Sequence, residues 1–235
     1  MIFYGFNKIT LLDYPEKIAC TLFLAGCNML CPYCHNSQLI EKNNFIETYK
    51  EEDILNFLEK RKSKLEGVCI TGGEPLLYND LSGFIKKIKE LGFLVKLDTN
   101  GTLSEKLIKL CQEVVIDYIA MDIKTSLEKY KLLTKNNEDF TKEIKQSIDF
   151  IINSGIDHEF RTTVAPIIVE FEDLEKISQL IKGCKNYYLA KFKASEFAPK
   201  EYWRNNKNNY SLEILEKMRD FMLSKNINCK LRANY

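Results

Sequence analysis

The sequence predicts an α/β fold, a partial and laterally open (β/α)6-type TIM barrel in a single domain over residues 1–235. Three observations point to it. Short apolar runs, several of them β-branched, alternate along the chain with amphipathic stretches of helical period. Strands that alternate with helices build βαβ units and a parallel sheet. About six such units fit, fewer than the eight of a closed barrel, and a composition that is 45% hydrophobic supports a real core.

Residues 1–17 are expected to add a flanking strand and a loop. Strands are expected at 18–24, 68–71, 93–97, 118–121, 158–164 and 187–192. Between them, a helix at 51–62 follows Thr48, which stands three residues before Glu51 as in a capping box. A second helix, at 81–91, runs into Gly92, a suitable helix-ending residue. Further helices are expected at 104–111, 139–153, 174–182 and 212–224, with Gly155 and Gly183 closing two of them. The Asn/Lys-rich stretch 205–210 reads as a surface loop, and nearby Tyr202 and Trp203 as core anchors or partner contacts.

Charge and composition exclude several classes of function. With 34 Lys+Arg against 33 Asp+Glu, the chain lacks the basic excess that neutralising phosphates requires, so no nucleic-acid partner is expected. No basic segment followed by an apolar run opens the chain, and no apolar stretch approaches the roughly 20 residues of a membrane span. A soluble cytoplasmic protein is the expectation. Its 8 cysteines should then stay reduced. Cys20, Cys69 and Cys111 sit among apolar neighbours, as small buried hydrophobes do. Cys184 and Cys229 stand singly.

The other three cysteines are different. Cys27, Cys31 and Cys34 form a C-x3-C-x2-C loop directly after the first long apolar strand. Three thiolates on one loop can hold three irons of a cubane and leave the fourth open to a small molecule. The competing reading is a closed zinc set of Cys27, Cys31, Cys34 and His35, although zinc sites usually join two separate dyads. Other polar clusters fall at the ends of later strands: Gly72-Gly73-Glu74, Asp98-Thr99, Asp122 with Lys124, and Arg161. Barrel enzymes place their sites at such strand ends. Gly72 and Gly73 would let backbone approach a ligand or simply make a turn. Glu74 offers a carboxylate to an ammonium group. Asp98 and Asp122 are read either as helix caps or as ligand contacts. Lys124, two residues beyond Asp122, points to the same face. Arg161 is either a core ion pair or a functional cation.

The loop resembles the hallmark of the radical S-adenosylmethionine (SAM) enzymes, with the aromatic Tyr33 just before the third cysteine. The resemblance implies a [4Fe–4S] cluster on Cys27, Cys31 and Cys34, SAM on its fourth iron, and Tyr33 against adenine. It also implies that Gly72, Gly73 and Glu74 hold the methionyl amino group. The ending Cys34-His35-Asn36 is similar to that of activating enzymes for glycyl radical proteins. In pyruvate formate-lyase activating enzyme, elements like those carrying Asp98, Thr99, Asp122 and Lys124 surround SAM and a monovalent cation. Asp13 and Arg161 match residues that approach the partner's glycine loop, although Asp13-Tyr14-Pro15 replaces the Asp-Gly-Pro-Gly of pyruvate formate-lyase activators.

Over almost the whole chain the motifs resemble the longer anaerobic ribonucleoside-triphosphate reductase activating proteins. The function implied is reductive cleavage of SAM to a 5′-deoxyadenosyl radical, which makes a glycyl radical on that reductase, with flavodoxin or ferredoxin as electron donor. The alternatives are an activator of another glycyl radical enzyme, a small-molecule enzyme similar to 7-carboxy-7-deazaguanine synthase, and a non-catalytic zinc module. Activators with an inserted ferredoxin-like domain would need more cysteines than Cys69 between the triplet and Gly72.

Overall fold

The computed structural model describes residues 1–40, 47–193 and 210–232. Tyr202, Trp203 and most of the expected loop at 205–210 lie outside them. The chain divides into two compact units, one of residues 1–28, 38–99 and 105–119, the other of 29–37, 100–104 and 120–235. The fold is α/β with mostly parallel strands, and in neither unit does the strand order close on itself.

The first unit contains β1 (Ile2–Phe3), β2 (Gly5–Thr10), β3 (Ala19–Leu24), β4 (Tyr49–Lys50), α1 (Glu51–Glu59), β5 (Gly67–Gly72), α2 (Leu81–Glu90), β6 (Leu94–Thr99) and nearly all of α3 (Ser104–Glu113). Its sheet runs β6-β5-β3-β2, with β3, β5 and β6 parallel and in register, and β2 antiparallel at one side. β3 and β5 are apolar on both faces, as parallel strands covered by helices must be. On α2, buried Leu81, Phe84, Ile85 and Ile88 follow the helical spacing of a core-facing stripe. Gly92 ends that helix at φ +89°, as its position in the sequence predicts.

Thr48 does not cap α1. Tyr49 and Lys50 pair with Phe3 and Ile2 in a small antiparallel ribbon, which holds the chain extended until Glu51. Lys50 is therefore the N-cap, and its backbone N–H donates to Asp53 at 3.2 Å. Three expected strands also lengthen at their C-terminal ends, β5 to Gly72, β6 to Thr99 and β7 (Tyr118–Asp122) to Asp122. Asp98 and Asp122 are thus strand residues, and neither caps a helix.

The second unit contains the last residues of β7, then α4 (Thr141–Asn153), β8 (Asp157–Val164), α5 (Phe171–Leu180), β9 (Tyr187–Lys191), α6 (Leu212–Ser224) and β10 (Cys229–Arg232). β8, β9 and β10 are parallel. The sequence does not announce β10, since four residues carrying two cations read as a polar tail. It forms because Cys229–Arg232 runs in register beside Tyr187–Ala190 and buries Cys229. Cys20 and Cys69 are buried as expected, whereas Cys111 of α3 is only partly so. Among the described residues, no helix is long and apolar enough to cross a membrane.

Buried His158 on β8 links this packing to pH. Its Nδ1 lies 3.0 Å from the Ile156 carbonyl, and its Nε2 accepts the Lys185 backbone N–H at 3.3 Å. Only the neutral Nδ1–H tautomer satisfies both contacts. Burial holds the imidazole pKa below its ordinary value, against the opposing pull of the Ile156 carbonyl. Because the unfolded chain then takes up a proton more readily, this contribution is full above about pH 6.5 and is lost as pH falls through the depressed folded value. Urea unfolding should show lower stability at about pH 5.5 than at about pH 7.5, and His158→Gln should reduce that difference. An unchanged difference in the variant would assign the effect to other groups.

Candidate active site

The glycines at the end of β5 answer to the chain's own backbone. Gly72 pairs with Leu24 and has φ +123°, and a Cβ there would stand 2.2 Å from the Leu24 carbonyl oxygen. A Cβ on Gly73 would stand 2.1 Å from the Gly26 carbonyl oxygen. Neither distance admits a side chain. In return, the Gly73 N–H donates to Leu24 O and the Glu74 N–H to Gly26 O, each at 2.8 Å. These glycines thus make room for the backbone that leads into Cys27. Gly26 and Cys27 are held from another side by the carbonyls of Leu39 and Ile40, at 2.6 and 3.3 Å.

Glu74 is fully buried. Its Oε1 accepts the Leu76 N–H at 3.1 Å and the Thr99 hydroxyl at 2.9 Å, so the carboxylate caps the 3-10 turn Pro75–Leu77 and ties it to the end of β6. Asp98 pairs with Lys96 on the same face of β6. Asp13 accepts a hydrogen bond from the Thr21 hydroxyl of β3, while its own backbone N–H donates to Thr10 Oγ1 at 3.2 Å.

In the second unit the expected residues form one hydrogen-bonded group. Asp122 receives Arg161 Nε on Oδ1 at 2.8 Å and Lys124 Nζ on Oδ2 at 2.9 Å. Burial opposes ionisation of Asp122, yet Arg161 and Lys124 override it and hold the carboxyl well below the usual carboxylate range. Burial likewise opposes the charge on Lys124, and Asp122 with the sulfurs of Cys31 and Cys34 overrides it, raising the ammonium pKa. Buried Tyr33 donates its hydroxyl to the Lys124 carbonyl at 3.3 Å, with its ring edge-on to Phe192. The Lys124 N–H donates to the Tyr130 hydroxyl at 2.9 Å. Behind Arg161 stands Glu159, fully buried and held by both terminal nitrogens of Arg232 at 2.7 and 2.6 Å. The ion-pair reading of Arg161 is realised, with Asp122 as its partner.

Cys31 and Cys34 are joined by the Cys34 N–H donating to Cys31 O at 3.0 Å, and none of the loop's three thiols is in a disulfide. Burial pushes the Cys34 thiol up, while Lys124 favours its thiolate. Three thiols on one short loop, two of them in the field of a lysine, are a donor set that suits an iron–sulfur cubane. Among the described residues, no three His, Cys, Asp or Glu side chains gather as for a single metal ion. A cubane does not ask for that, since each thiolate meets its own iron.

Thr21, Lys96, Tyr130, Glu159 and Arg232 are not singled out by sequence reasoning. The i, i+2 spacing of Lys96 with Asp98 and of Glu159 with Arg161 is a signal that could have found two of them. Nothing local marks Arg232.

Comparison with known proteins identifies the family and the fold. The profile of the Radical SAM superfamily matches residues 21–184. A protein of Methanocaldococcus jannaschii named as a glycyl-radical enzyme activating enzyme is 35% identical over 202 residues, covering 84% of this chain and 82% of that one. Pyruvate formate-lyase-activating enzyme of Clostridium pasteurianum is 27% identical, covering 78% and 77%. Among solved structures, Streptococcus suis SuiB bound to S-adenosylmethionine matches with TM-score 0.68 at 14% identity, covering 92% of this chain and 52% of SuiB. The chain thus spans about half the length of that structure, and the likeness concerns the fold.

Replacing Gly73 by Ala should destabilise the first unit by about 2 kcal/mol or more, because the new Cβ meets backbone that cannot rotate away. The same variant should load less iron, since Gly26 and Cys27 must shift to make room. Chemical unfolding together with an iron assay checks both outcomes.

Proposed function

The chain belongs to the radical SAM superfamily, and from that membership we propose that it is an activating enzyme that installs a glycyl radical on a partner protein. It is an enzyme that uses a [4Fe–4S] cluster and SAM. The partner we favour is an anaerobic ribonucleoside-triphosphate reductase, on the strength of the motifs around Asp13, Asp98, Asp122 and Arg161. Cluster and SAM, once bound and given one electron by a flavodoxin or ferredoxin, supply the 5′-deoxyadenosyl radical that takes a hydrogen atom from a glycine of the partner, leaving 5′-deoxyadenosine and methionine.

The single observation that carries the proposal is the group Lys124–Asp122–Arg161. In it, an acid–base pair suited to a zwitterionic ligand is hydrogen-bonded to a guanidinium suited to backbone carbonyls. In this reading Cys27, Cys31 and Cys34 hold the cluster, and Tyr33 lies against the adenine. Gly72 and Gly73 fix the approach to Cys27, and Glu74 with Thr99 fixes the turn whose polar groups meet the methionyl amino group. Asp98, Asp122 and Lys124 hold SAM, while Arg161 and Asp13 contact the partner's glycine loop. A protein substrate also suits a relative of similar length that is named as an activating enzyme.

Anaerobic reconstitution should give about four irons per chain, the cubane stoichiometry. Reduced protein mixed with SAM and an anaerobic ribonucleotide reductase should produce the doublet electron paramagnetic resonance signal of a glycyl radical. Asp122→Asn should weaken SAM binding at unchanged iron content, and Arg161→Ala should lower the glycyl radical more than uncoupled SAM cleavage. Turnover of a purine or pterin without a glycyl radical would replace this proposal by the small-molecule reading. A signal with pyruvate formate-lyase alone would reassign the partner.

A further inference from the structure

We propose that Lys96 is a built-in counter-ion that takes the place of an alkali metal ion at Asp98, so that SAM binds without a monovalent cation. The inference rests on the reading that Asp98 belongs to the SAM site. The resemblance to pyruvate formate-lyase activating enzyme implies SAM and a monovalent cation among elements like those carrying Asp98, Thr99, Asp122 and Lys124, and the side chains present do not fit a cation. Asp98 is paired with the Lys96 ammonium. Asp122 has a guanidinium on one oxygen and an ammonium on the other. The Thr99 hydroxyl donates to Glu74. Each carboxylate has already received a positive charge from its own chain.

The placement of Lys96 leaves it little else to do. Its side chain is 1% exposed, and its chain neighbours Val95 and Leu97 are fully buried. An ammonium so removed from water must be met by a charge. The register aligns Thr21 of β3, Cys69 of β5 and Lys96 of β6 in one row across the parallel strands. Neither row partner supplies that charge. The Cys69 thiol is kept neutral by burial, which outweighs the pull of Lys96, and the Thr21 hydroxyl is committed to Asp13. Asp98, two residues along the same face, is the carboxylate the ammonium reaches. An alkali ion set against Asp98 would then face a fixed positive charge a few ångströms away, which repels it most where water is scarce.

Lys96 is therefore a positioning residue, and exchange of salt is its test. SAM affinity of the cluster-loaded protein is compared in potassium chloride and in choline chloride at equal ionic strength, so that screening cancels. The wild-type values should agree within about twofold. Lys96→Met should bind about tenfold or more weakly in choline and recover in potassium, as a vacated cation position would, while Lys96→Arg should stay indifferent to the salt. A wild-type affinity that collapses in choline overturns the proposal. The melting temperature of the cluster-free protein gives a second reading: potassium should raise it for Lys96→Met and not for wild type, and a rise in wild type again overturns the proposal. Should Lys96→Met fail to fold, the double variant Lys96→Met/Asp98→Asn removes both charges, and a potassium requirement in it counts against Lys96 as counter-ion. If wild type binds no SAM in either salt, the SAM reading falls, and the melting comparison still judges the counter-ion.

Discussion

A charge removed from water must be met by another charge, and that requirement organises the polar groups these strands carry. Glu159, Asp122 and Asp98 are carboxylates in or near the interior, and each has a cation within hydrogen-bonding reach, from Arg232, from Arg161 and Lys124, and from Lys96. Such pairs contribute little net stability when set against a well-packed apolar alternative. What they contribute is position, because a guanidinium held by two partners has few rotamers left. Glycines at the end of β5 solve a related problem by another route, removing side chains where backbone must touch backbone.

Much of the architecture was legible in the sequence, because apolar period and helix-ending glycines are local signals. α2 shows why: its buried stripe and its Gly92 terminus depend on residues within about three turns of one another. The parts that were not legible depend on distant residues. Thr48 has the chemistry of a cap, but the ribbon with Ile2 and Phe3 decides where α1 begins. β10 is too short and too charged to be seen without β9 beside it.

The candidate site divides along the same line. Cysteine spacing and the residue types on the strands are written locally, and the structure joins Asp122, Lys124 and Arg161, together with Tyr33 of the cysteine loop, by hydrogen bonds. The second partners are written elsewhere in the chain. Glu74 looked like a group waiting for an ammonium, and its capping of Pro75–Leu77 and bond to Thr99 appear only once β5 and β6 lie side by side. The residue type of Arg161 leaves an ion pair and a functional cation both open, and its bond to Asp122 realises the ion pair.

The bidentate hold of Arg232 on Glu159 has a consequence for synthesis. The two residues are 73 apart in the chain. A ribosome that has finished β8 has therefore placed a carboxylate in a future interior with Arg161, 3.9 Å away in the folded chain, as a nearby cation, long before its bidentate partner exists. Until residues 229–232 emerge and settle beside β9, Glu159 lacks its bidentate partner, which disfavours its burial and makes the packing around β8 wait on β10.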